Sequence, residues 1–95
     1  NRVALGTQSL TVWKDARELG KSAGESALAL CANADASAVA GASPFTTPGG
    51  NSISSIFLVP KPITQDNLNE VIDAGWTDQA TLCQGVTAGS VAACP

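Results

Sequence analysis

Lys14 is the residue best placed to do chemistry in this chain. It follows the β-branched and aromatic run Thr11-Val12-Trp13 and precedes Asp15, a helix-starting residue type. A lysine there stands where a strand ends and a helix begins, the usual place for ligand contacts in open α/β sheets. Its ammonium carries three donors and no acceptor, which suits the hydroxyls of a sugar. The plainer reading is a solvated lysine near a helix start. Trp13 and Trp76 offer flat apolar faces that match the apolar face of a pyranose, although most tryptophans are core or partly covered. Gln8 has hydrogen-bonding capacity but lies well before the strand's end. Asp66 and Glu70 stand four apart, a spacing that puts two carboxylates on one helix face for acid–base work. The same spacing describes a solvated face with favourable charge near a helix N-terminus.

Enzymatic readings fare poorly. The chain has no histidine, so a histidine-dependent triad is excluded, and its Ser, Lys and Cys residues lack a recognisable partnered base. The glycines form neither a dinucleotide fingerprint nor a phosphate-binding loop. The expectation is a protein that is not an enzyme and carries no cofactor. The three cysteines, Cys31, Cys83 and Cys94, contain no Cys-x-x-Cys pair, and a zinc site would need all three plus a carboxylate. An odd count leaves at least one thiol free or paired outside the chain. The Cys83/Cys94 spacing fits a disulfide, which would imply an oxidising compartment. Three ordinary buried thiols fit it too.

Ninety-five residues allow one domain at most, with a small core. A hydrophobic fraction of 44% with 14% charged residues is globular in character. The net charge of −3, with cations scattered as Arg2, Lys14, Arg17, Lys21 and Lys61, provides no basic face for nucleic acid. No apolar run approaches the ~20 residues of a membrane span.

The elements that must position these residues follow from the pattern. Residues 1–5 read as the last turn of a helix stopped by Gly6, and so as the continuation of a longer protein. Thr7 to Trp13 reads as a strand. Asp15 with Glu18 has capping-box spacing and opens a helix whose apolar stripe is Leu19, Ala23, Ala27, Leu30 and Cys31, suited to close packing on a sheet. Residues 33–51 form a long Ala/Ser/Gly-rich connection, with room for a short strand at Ala38–Ala42 and a turn at Gly49-Gly50-Asn51. Ile53 to Val59 reads as a strand covered on both faces, stopped by Pro60-Lys61-Pro62. Thr64 caps a helix from Gln65 to about Ala74, with Ile63 and Leu68 as its hydrophobic staple and Gly75 as its stop. Thr77 and Asp78 start a shorter helix through Leu82-Cys83, closed by Gly85. The tail from Gly85 to Pro95 is small and weakly apolar. The order strand, helix, strand, helix predicts an α/β fold.

Two stretches carry a family resemblance: Gly6-Thr7-Gln8-Ser9-Leu10-Thr11-Val12-Trp13-Lys14-Asp15, and Ile63-Thr64-Gln65-Asp66-Asn67-Leu68-Asn69-Glu70-Val71-Ile72-Asp73-Ala74-Gly75-Trp76. Together they resemble the C-terminal part of D-xylose-type periplasmic sugar-binding proteins, type I solute-binding receptors that feed ABC transporters. The resemblance covers residues 1–86; the tail, 87–95, lies outside it. It implies a fragment of a two-lobe periplasmic-binding-protein type I fold. Residues 1–14 would run through the C-terminal lobe to the hinge, and 15–53 would be a helix and loop of the N-terminal lobe. Residues 54–62 would cross the hinge, and 63–95 would supply C-terminal-lobe helices and the tail. It further implies that Lys14 contacts the sugar, that Trp76 serves packing on a peripheral helix, and that most sugar contacts lie in a missing N-terminal part of the receptor.

The function so implied is binding of a monosaccharide, xylose or a similar sugar, by hinge closure, with delivery to the importer's membrane permease in the periplasm. A periplasmic setting favours a Cys83–Cys94 disulfide, and the placement of Cys31 in the other lobe leaves it reduced. The competing expectation is a small secreted structural or interaction protein held by that same bridge, with no small ligand.

Overall fold

A computed structural model describes all 95 residues, Asn1–Pro95. It is a small mixed α/β structure with short antiparallel sheets. The elements run β1 (Thr11–Trp13), α1 (Ala16–Ala32), a 3₁₀ turn (Ala36–Ala38), β2 (Ser43–Thr46), β3 (Ser52–Ser55), β4 (Lys61–Ile63), a second 3₁₀ turn (Gln65–Asn67), α2 (Asn69–Asp73) and α3 (Gln79–Leu82). The chain divides into two compact units rather than one. Unit 1 comprises Asn1–Lys14 with Pro60–Pro95, and unit 2 comprises Asp15–Val59.

Unit 1 holds the core. Val3, Ala4, Ile63, Leu68, Leu82, Val91, Ala93 and Cys94 are buried together, with Trp13, Val71, Ile72, Cys83 and Val86 partly buried against them. Its first turn closes as the sequence predicts. Gly6 has φ 74°, and Thr7 N donates to Arg2 O while Gly6 N donates to Val3 O, both at 3.1 Å. This is the paired closure of a Schellman stop. Gly75 closes α2 the same way, with Trp76 N donating to Val71 O and Gly75 N to Ile72 O. Thr64 starts its helical segment through a reciprocal cap. Its Oγ1 accepts from Asp66 N, and its own N–H donates to Asn67 Oδ1 at 2.8 Å. The staple residues Ile63 and Leu68 are both buried in the core. The segment itself begins as 3₁₀ and becomes α-helical only at Asn69.

Two expectations for unit 1 need correction. The first strand is short: β1 begins at Thr11, because Thr7 to Ser9 bend as the chain leaves the Gly6 stop. Pro60-Lys61-Pro62 does not simply end a strand, since Lys61–Ile63 is itself β4. It pairs antiparallel with β1 in the register Thr11↔Ile63, Val12↔Pro62, Trp13↔Lys61. A two-stranded sheet leaves each strand a free edge, where a residue without an amide proton is tolerated.

The tail is a third departure. Val91, Ala93 and Cys94 are three of the eight core residues, so small side chains without periodicity still supply buried surface once tied in place. The ties are the Cys83–Cys94 disulfide, Gln79 Nε2 donating to Ala93 O at 2.9 Å, and Gly89 N donating to Cys94 O at 2.7 Å.

Unit 2 consists of α1 and a β2–β3 hairpin. Asp15 is the N-cap of α1, but its carboxylate accepts from Arg17 N at 2.9 Å, not from the Glu18 amide that a capping box would use. The Arg17 guanidinium also grips it, Nε at 3.1 Å and Nη2 at 3.0 Å. The hairpin register is Ser43↔Ser55 through Thr46↔Ser52. Gly50, at φ 82°, turns the connecting loop, closed by Thr47 N donating to Asn51 O at 2.8 Å. The strand expected near Ala38–Ala42 is instead a 3₁₀ turn and bend, and the strand forms one step later at Ser43.

The strand expected over Ile53–Val59 is regular only to Ser55, and it is not covered on both faces: Val59 is 92% exposed. Phe57 instead meets Phe45 edge-on, with ring centroids 5.1 Å apart. No residue of α1 is buried. The predicted stripe is open, Leu19 being 63% exposed. The half-buried positions of α1 are instead Ser22, Ser26 and Ala29. A two-stranded hairpin is too narrow to cover a seventeen-residue helix, so helical periodicity here marks a face without a lid.

Candidate functional site

β1 positions the candidate site. Trp13 is half-buried and packs on the unit 1 core, opposite Lys61 in the register with β4. Lys14 follows immediately after the last residue of β1. Lys14 is exposed, and its ammonium takes part in no hydrogen bond or ion pair. Its donors are therefore available to solvent or a ligand, and no protein contact fixes their direction.

The other predicted candidates do not converge on it. Gln8 is half-buried, with Nε2 donating to Leu10 O at 2.7 Å. It lines a polar hollow of about 330 Å³ together with Gly6, Ser9, Thr64, Gln65 and Asp66. Trp76 follows the Gly75 stop and is 47% exposed. The Asp66/Glu70 pair is divided in its duties. Glu70 is ion-paired with Lys61 and accepts from Asn67 Nδ2 at 3.4 Å, whereas Asp66 is exposed. Glu70 thus ties α2 to β4 and is not held ready as a base.

Arg17, Asp35 and Asp78 titrate away from their ordinary values, each through a cap. The Asp15 carboxylate, hydrogen-bonded to Arg17, holds the guanidinium pKa up. The Ser37 hydroxyl and backbone N–H hold Asp35 down. The Thr81 backbone N–H, then its hydroxyl, does the same for Asp78. All three groups are exposed residues at helix starts, so the shifts describe local capping and not a reactive centre.

Cys83 and Cys94 are joined, with Cα atoms 5.6 Å apart, and Cys31 is free and exposed on α1. The bridge is compatible with an oxidising compartment. No three Cys, Asp or Glu side chains gather into a possible metal site. No helix is long and apolar enough to cross a membrane.

The sequence reading did not anticipate two surface features. One is the polar hollow beside Gln8, which forms because the Gly6 bend and the Thr64 cap come together; Gln65 Nε2 donates to Ala4 O at 3.4 Å. The second is a groove of about 270 Å³ in unit 2, whose walls include Leu19, Ala23 and Leu30 of α1 with Ile56 and Leu58. The available signal was the surplus of apolar residues over anything in residues 33–51 able to cover them.

Compared with protein-family models, curated proteins and solved structures, the chain matches none.

Proposed function

We propose that the chain is the C-terminal part of a periplasmic substrate-binding protein, serving an ABC importer of a monosaccharide such as xylose. It binds sugar without catalysing a reaction. One observation carries the reading. The chain separates into two units at Lys14/Asp15 and again at Val59/Pro60, so it passes twice between bodies, as a hinged two-lobe receptor requires. The first passage falls at the end of the Thr11–Trp13 strand, at the lysine that the resemblance makes a sugar donor. The unpaired ammonium of Lys14 agrees with that role. The disulfide suits the periplasm, and the permease and the remainder of the receptor are the macromolecular partners.

The test is footprinting of the complete receptor by amine acetylation, read by mass spectrometry with and without saturating xylose. Sugar is expected to protect Lys14 and to leave Lys61, already paired with Glu70, unchanged. Equal labelling of Lys14 in both states overturns the reading.

A second reading is supported by unit 1 itself: a small secreted structural or interaction module without a small ligand. The observation in its favour is the closed core with the bridged tail built into it. On that reading no sugar changes the labelling of any lysine.

A further inference from the structure

We draw no further inference here: the strongest candidate, the open apolar groove of unit 2 between α1 and the Ile56–Leu58 segment, is an unpartnered face, and nothing in the structure shows what covers it.

Discussion

Reducing the Cys83–Cys94 bridge is expected to cost unit 1 about 3 kcal/mol. The two cysteines are 11 residues apart. Loop-closure entropy for a ring of that size is about 9 cal/mol/K, or about 3 kcal/mol at room temperature. For a unit of about fifty residues the usual net stability is about 2.5–7.5 kcal/mol, so the bridge accounts for a large share of it. The loss also reaches the core, because Val91, Ala93 and Cys94 stay buried only while the tail is in place. The assay is urea unfolding followed by tryptophan fluorescence, with and without a phosphine reductant. A Trp76→Phe background isolates Trp13, which packs on the core. With a slope of about 1 kcal/mol/M, low in the usual range and suited to so small a unit, the midpoint falls by about 3 M. Cys31→Ser serves as the control and leaves the curve where it was, since Cys31 is free and exposed. A reduced protein with an unshifted midpoint refutes the reasoning and assigns the tail's hold to Val91 and Ala93 packing alone.

In the complete receptor, Lys14→Ala should weaken sugar binding about tenfold or more, the worth of a hydrogen bond to a charged group, with no change in melting temperature; titration calorimetry and a thermal melt check both. The 95-residue chain alone should give no saturable heat with millimolar xylose; a saturable heat would mean that the site is complete within it. Ile63→Ala should destabilise unit 1 by about 2–5 kcal/mol, because Ile63 is 1% exposed, whereas Val59→Ala should stay within about 0.5 kcal/mol; denaturant melts compare them. Asp78 titrates below its ordinary value of 3.8 when folded. Its cap therefore stabilises fully above the unfolded pKa and is lost as pH falls through the folded one, a dependence that Asp78→Asn should remove from an acid-unfolding curve.

Local chemistry was legible in the residues. Asp15, Thr64 and Asp78 start helical segments, and Gly6 and Gly75 stop them, because a cap needs only its own few neighbours. Covering surfaces were not legible. Leu19, Ala23 and Leu30 announce a helix with an apolar side, yet periodicity does not say what lies against that side. The Ile56–Val59 run misled for the same reason. The tail misled in the opposite direction: Val91 and Ala93 are too small and irregular to read as core, and the disulfide and Gln79 bring them in. At the candidate site, the position of Lys14 at a strand end was legible from Thr11-Val12-Trp13. The diversion of Glu70 to Lys61 was not, because it joins α2 to β4, and Pro60-Lys61-Pro62 read as a strand stop rather than a strand.

The split of unit 1 across the sequence sets an order of events during synthesis. The Asn1 side chain donates to Leu82 O and Gln84 O, partners 81 and 83 residues further along. At about 5–20 residues per second, the first segment waits about 4–17 s for them. Residues 15–59 are made in that interval, with no core of their own to enter. Val3 and Ala4 stay exposed until the later segment arrives with their core partners. For a chain of this layout, that delay is the period when chaperone attention and protection from aggregation matter most.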